Sequence, residues 1–388
     1  MATLVLVWRG LLLALTAAGL VSLALGYTTA WRRLRGARPR GPLPDPAPPV
    51  TLCKAVEGAD ESTYELFESL LHIDYPGRLE YLIGTLTPED PVVDIVARLQ
   101  AAYPDHDLRL VMGELVGVNR KTSIMRTMAQ QATTDLLVFT DGDVYHAPDT
   151  LQWLVPELLR PEVGCVYQFP RARPAGTLGG QVIALHYEQV YLPQWMMAEA
   201  TGGQNTAIGM LMAQRREVMD TYGGFDAFLD ALADDFQFAN QAARQGFRPV
   251  MLPKLIDTEM PVESLLASVQ RIGRWLSTIR GVRPGGFVGL IFTYPVAWAT
   301  VLALTGPALG WTWGVLGAVL ALRYAAAAAL EHGVLRTGTL GRGWWLLPFV
   351  DWLNLYSYVR AYFVRGVVWA GRRYRLLPNG DLVAEEPR

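Results

Sequence analysis

Two aspartates around a glycine, Asp141-Gly142-Asp143, directly follow the apolar run LLVFT. Like charges at the end of a buried strand are costly to hold unless a cation neutralises them, and Mg²⁺ or Mn²⁺ takes carboxylate oxygens together with substrate phosphates. The pair points to a divalent metal carrying a diphosphate, although a bare D-x-D also occurs as an acidic turn. A second pair, Asp234-Asp235, opens the helical stretch FQFANQAARQG. One carboxylate suffices to cap that helix, which leaves the other free to take a proton from an attacking hydroxyl. Asp90 follows the run LEYLIGTL, after Thr87-Pro88-Glu89 and just before a helix start, a place that also suits an N-cap. Arg271 and Arg274 share a helix face at i and i+3, with Trp275 beside them. Two guanidiniums there suit a diphosphate, and equally the anionic headgroups under a juxtamembrane helix.

Such residues need a frame that brings distant loops together. Between Val50 and Pro253 short apolar runs alternate with longer helical patterns, which predicts an α/β fold with a mostly parallel sheet covered by helices. Ligands then bind beyond the carboxyl ends of the strands, where Asp90 and the 141–143 triplet stand.

The 388 residues are 51% hydrophobic and only 18% charged, so part of the surface is expected to face lipid. Net charge is −2, with no long basic tract, which argues against a nucleic-acid partner. The two cysteines, Cys53 and Cys165, sit in apolar runs and read as buried thiols. Residues 10–30 are long and apolar enough to span a bilayer, and Arg32, Arg33, Arg35, Arg38 and Arg40 follow, against Arg9 before. The positive-inside rule then places the domain after these arginines in the cytoplasm. The expected organisation is an anchor with its basic stop (1–40), a Pro-rich linker (41–49), a cytoplasmic catalytic domain (50–284), membrane segments (285–364) and a basic cytoplasmic tail (365–388). Residues 285–306 and 308–330 are each expected to span, whereas Trp344–Val364, carrying Pro348, Asp351, Asn354 and Arg360, is expected to enter the membrane without crossing.

In order along the chain, Asp90, Asp141-Gly142-Asp143, Asp235 and Arg271-x-x-Arg274-Trp275 match the D, DxD, D, (Q/R)xxRW series of processive and lipid-modifying family-two-type glycosyltransferases of GT-A fold. The chain resembles most the ceramide glucosyltransferase branch, including bacterial hopanoid-associated enzymes. Gly117 to Lys121, Glu188 to Tyr191, Gly223-Gly224 and the segment Trp369 to Arg375 are further matches. The triplet is nearer the general metal-binding form than the D-S-G variants of the ceramide enzymes, and the segment 191–205 lacks the acceptor-site histidine found there.

The resemblance implies a GT-A (Rossmann-like) mixed sheet with amino- and carboxyl-terminal transmembrane helices. It also implies inverting transfer from a UDP-sugar to a membrane lipid hydroxyl, with Mn²⁺ or Mg²⁺ as cofactor. Asp141 and Asp143 would hold the metal. Lys54, Asp90, Asn119, Lys121, Asp141, Arg271, Arg274 and Trp275 would bind the donor, and Asp235 would be the base. Such a protein is expected to be multi-pass, in a bacterial inner membrane. Alternatives are N-acetylglucosaminyl or other sugar transfer to a hopanoid or another lipid, a membrane scaffold that binds a nucleotide sugar without turnover, and a polysaccharide synthase, for which the helices are too few.

Overall fold

A computed structural model describes residues 2–202, 206–306, 309–364, 366–369, 372–377 and 380–384. Asn205, Ala308, Arg365, Ala370 and Gly371, which belong to the spans, tail and matched segments of the sequence, lie outside the described residues. The chain forms two compact units interleaved in sequence: residues 1–36, 171–204 and 260–368 make one, and 37–170, 205–259 and 369–388 the other.

The second unit is the α/β part. The strands in chain order are β1 Val50–Ala55, β2 Leu79–Thr85, β3 Leu108–Met112, β4 Leu136–Asp141, β5 Val144–Tyr145, β6 Val163–Gln168, β7 Pro170–Ala172, β8 Leu211–Arg215, β9 Arg248–Met251 and β10 Ile256–Thr258. Seven of them form one sheet in the order β3-β2-β1-β4-β8-β6-β9. The β3-β2-β1-β4 half is parallel, β8 runs antiparallel to β4 and β6, and β9 is parallel to β6. The sheet is therefore mixed, with an α/β architecture.

Strand β1, VTLCKA, is buried at all six positions, as expected of a central strand covered on both faces. Val50, Leu52, Ile83, Val138 and Leu151 belong to the same apolar core as Phe67, Val96 and Leu99 from the covering helices. Because the chain leaves β1 toward β2 on one side and β4 lies on the other, the carboxyl ends of β1 and β4 flank a topological switch point, where a crevice opens. Ala55 is in register with Asp141 there.

The first unit is helical. Helix Ala2–Leu34 packs on Leu192–Ala200 and Pro295–Thr305 through glycines. A Cβ on Gly26 would lie 2.2 Å from the Pro193 carbonyl oxygen, and one on Gly19 would lie 2.9 Å from Pro295, so only glycine permits these approaches. Helices Thr3–Leu34 and Gly310–Leu335 are long and apolar enough to cross a bilayer, which associates the chain with a membrane.

Residues 285–306 do not form one straight helix. Helical turns Pro284–Thr293 and helix Pro295–Thr305 meet at a 55° bend. Pro295 lacks an N–H and restricts Tyr294 before it, and both effects end a helix. The helix Leu347–Ala361 has 15 residues, fewer than the roughly 20 that a bilayer core requires.

Candidate active site

The reactive groups of the α/β unit gather around Lys121. Asn119 starts the helix Arg120–Gln131 by accepting from Thr122 N at 3.1 Å, which sets Lys121 in the first turn. Lys121 Nζ lies 2.6 Å from Asp141 Oδ1 and 3.1 Å from Asp234 Oδ2. Burial alone would lower the lysine's pKa, but the two carboxylates outweigh it and hold the ammonium charged above its ordinary range. Asp141 is raised, by burial above all, with Lys121 pulling the other way.

Asp235, one residue on from Asp234, has its Oδ1 2.7 Å from Phe236 N. Burial, then the adjacent charge of Asp234, raise its pKa to about 7 against the partial relief given by Lys121. Gly209 closes this group, since a Cβ there would lie 3.4 Å from both Lys121 Nζ and Asp235 Cβ. Asp143 stands exposed at the strand end, and no side chain among the described residues partners its carboxylate. Crowding by protein and then the charge of Asp141 raise it to about 6. Its backbone carbonyl accepts from Glu259 N at 2.8 Å, just past the antiparallel pairing of β5 with β10.

Beneath the triplet, Lys54 is fully buried at the end of β1 and donates to the carbonyls of Asp141 (3.0 Å), Gly142 (3.4 Å) and Val144 (2.9 Å). All three ammonium protons are thus committed to the turn's backbone. Burial lowers this lysine to about 7, while Asp143 and Asp141 resist. Asn119 is likewise buried, its amide nitrogen donating to Ala231 O at 2.7 Å. Asp90 accepts from Gly58 N at 2.9 Å and from Val92 N at 3.0 Å, tying the loop after β1 to the next helix.

The loop 229–232, which leads into Asp234, is held from two sides. Asn119 N donates to Leu229 O and Val118 N to Asp230 Oδ1. From the other side, Leu232 N donates to Gly380 O and Leu382 N to Asp230 O, with a bridge between Ala231 and Asp381.

Arg271, Arg274 and Trp275 lie on the helix Leu265–Val282 of the helical unit. Arg271 pairs with Glu263, Nη2 to Oε2 at 2.7 Å. Trp275 stacks on His186 and Tyr187, with ring centroids 5.4 and 5.3 Å apart. Burial pushes His186 down to about 4, so the ring against Trp275 is neutral at physiological pH.

The residues that sequence reasoning missed are Asp234 as a lysine partner, Gly209 and the carboxyl-terminal brace. Only the adjacency of Asp234 to Asp235 signalled any of them.

Among the described residues no group of three or more His, Cys, Asp or Glu is arranged to hold a metal. The acidic pair still fits a Mg²⁺-like ion, which is commonly bound through one or two carboxylates plus substrate phosphates. Asp143 offers a hard, accessible oxygen donor, and its pKa is raised by crowding from protein first and by the charge of Asp141 second.

The sequence profile of glycosyl transferase family 21 matches residues 11–382. The chain belongs to this family. Ceramide glucosyltransferase 1 of Caenorhabditis elegans is 21% identical to this glycosyltransferase over 354 residues, covering 87% of the chain and 74% of that protein. Ceramide glucosyltransferase 3 of the same organism is 24% identical over 235 residues, covering 59% of the chain and half of that relative's length. Among solved structures, a mannosyltransferase from Pyrobaculum calidifontis in complex with GDP-Man and Mn²⁺ has a TM-score of 0.54 at 24% identity, covering 91% of this chain and 99% of that one. The likeness establishes the GT-A fold for this glycosyltransferase.

Proposed function

We propose that this family 21 glycosyltransferase moves a sugar from a UDP-sugar onto the hydroxyl of a membrane lipid, with inversion, on the cytoplasmic face of a bacterial inner membrane. The observation that carries the reading is the cluster at the ends of β1 and β4, where Lys121 binds Asp141 and Asp234 while Asp143 stands exposed and Asp235 half-buried, both with raised pKa values. The relatives named for ceramide glucosylation supply the substrate classes.

Asp235 takes the proton of the acceptor hydroxyl, since a base near neutrality is matched to the operating pH. Asp143, with Asp141, would hold a Mn²⁺ or Mg²⁺ ion, whose charge stabilises the departing diphosphate. Lys121 keeps Asp141 and Asp234 in place and adds positive charge at the same point. Lys54 and Asn119, buried with their polar groups engaged, act by positioning the triplet and the Asp234 loop. Asp90 shapes the loop that receives the nucleoside, and donor binding is also assigned to Arg271, Arg274 and Trp275. The five arginines after the amino-terminal helix favour the cytoplasmic placement of residues 50–284.

The test is to incubate the purified protein with labelled UDP-sugars and membrane lipid extract, then identify products by mass spectrometry. A new glycolipid that disappears with chelator, and with Asp143→Ala, is expected. Product formation undiminished in chelator would remove the metal from the reading, and absence of any glycolipid would remove the acceptor class.

A further inference from the structure

Two glutamates that the proposed transfer reaction does not use meet inside the helical unit. Glu188 is fully buried and Glu331 is 4% exposed. Each sits in a widened π-helical turn, Tyr187–Tyr191 and Glu331–Leu335, closed by bonds from Leu192 N to Tyr187 O and from Arg336 N to Glu331 O. Such turns are rare and recur at functional positions.

Among the described residues no arginine, lysine or histidine forms an ion pair with either carboxylate. On the segments that meet here, Arg171 Nη1 donates to Leu335 O at 3.5 Å and Arg342 Nη2 to Thr337 O at 2.9 Å. Arg173 is half-buried with a partner of its own, and His332 and Arg336 are exposed. Two bare carboxylates buried together without a cation are too costly to hold, so the site carries a proton.

The hydrogen bonds locate it. Thr337 Oγ1 lies 3.0 Å from Glu188 Oε2 and 3.2 and 3.3 Å from the two carboxyl oxygens of Glu331, and it accepts from Thr339 N at 3.3 Å. A hydroxyl has one proton to give and two lone pairs to fill, so it serves both glutamates when it donates to one and accepts from the other. Glu331 already accepts from Gly338 N at 2.6 Å and Leu340 N at 3.4 Å. Glu188 accepts from one backbone donor, Ala172 N at 3.0 Å on Oε1, which leaves its Oε2 to carry the proton.

We propose that Glu188, Thr337 and Glu331 form a proton-held clasp, a pH-responsive device that pins the Glu188 turn to the loop 336–340 and loosens when the proton leaves. The clasp stands on these contacts whether or not the chain transfers a sugar. It reaches outward through Tyr187, whose ring stacks on Trp275, and through Gly333, which abuts Trp31 with no space for a Cβ. Burial first, then the charge of Glu331, raise Glu188 to about 8, against partial relief from Ala172 N and Thr337. An acid raised in the closed form, and returned to 4.5 in the open one, favours closure fully below 4.5; that advantage shrinks as pH rises and is gone above about 8.

Amide hydrogen exchange on the full-length protein in detergent, corrected for intrinsic rates, reads the opening through Ala172, Gly338 and Leu340, whose N–H groups donate to the two carboxylates. Protection there should fall about tenfold per pH unit between about pH 5 and 8 and then level off, because opening releases one proton. The amides of helix Pro295–Thr305 serve as the reference. Glu188→Gln, whose amide donates to Thr337 as the acid does, should keep the protection seen at pH 5 and lose its pH dependence. Thr337→Val, which removes the shared hydroxyl, should lower protection already at pH 5.

Protection that is flat with pH in the parent, that falls equally in Glu188→Gln, or that is unchanged at pH 5 in Thr337→Val would overturn the clasp. Restoration of protection at pH 8 by Na⁺, K⁺ or Ca²⁺ at fixed ionic strength would make the pair a cation site, and the proton-held device would fail.

Discussion

Asp235→Asn separates what the carboxylate does for chemistry from what it does to the fold. Its pKa of about 7 requires that it be protonated, and idle as a base, on the acid side of neutrality. At pH 6 about one molecule in ten carries the free carboxylate, so kcat/KM should fall about tenfold per pH unit below 7 and level off near pH 8. The Asn variant should lose roughly 10²–10⁴ in kcat, with donor affinity nearly intact, because a base is needed for transfer and not for holding a diphosphate.

Stability should move the other way. An acid whose folded pKa is raised from 3.8 to about 7 binds its proton more tightly in the folded state, so its charge opposes folding. That penalty is absent below the unfolded pKa, grows between 3.8 and about 7, and is complete above 7. At 1.36 kcal/mol per unit it amounts to on the order of 4 kcal/mol before solvent and relaxation reduce it. Thermal unfolding followed from pH 4 to 8 should show the Asn variant gaining several degrees over the parent as pH rises, then a constant gap. A gap independent of pH, or an acid limb below pH 5, would refute the assignment of Asp235 as a strained base.

Lys54→Met should leave the fold intact and lower kcat with a weakened metal requirement, because the carbonyls of Asp141, Gly142 and Val144 lose their common donor; metal titration of activity checks it. Gly26→Leu should destabilise the helical unit, at or above the upper end of the ~1–3 kcal/mol that overpacking costs, read as a lower melting temperature in detergent. A cysteine placed after Arg375, in a variant lacking Cys53 and Cys165, should react with an impermeant thiol reagent only after permeabilisation. With the amino terminus outside, an inside tail requires the bent pair 284–305 to cross and the helix Leu347–Ala361 not to, so labelling of intact cells would redraw the topology.

Much of the α/β unit is legible in the sequence because most central strands are short apolar runs, and Asp141 after LLVFT stands where such a run stops. The pairing of Lys121 with Asp234 is not, since nothing local in either segment marks a contact across so much chain. Asn119 and Lys54 show a second limit: the resemblance suggests donor ligands, and the burial and engaged hydrogen bonds that favour the supporting role proposed above are invisible in one dimension. The bend within 285–306 is not legible either, because mean hydropathy is blind to a single proline. Residues 178–191 read as part of a water-soluble domain, yet almost every side chain there is buried and the segment joins the helical unit. Its weak polar face is the available sign.

The brace on the 229–232 loop bears on the order in which the protein is made. Residues 380–382, which grip Asp230 and Leu232 beside Asp234 and Asp235, are synthesised after both of the described helices that are long and apolar enough to cross a bilayer, Thr3–Leu34 and Gly310–Leu335. Until then the loop is held from the Asn119 side alone. A nascent chain that has already made these helices therefore still lacks one of the two grips on the loop leading into Asp234, and synthesis of residues 380–382 closes it.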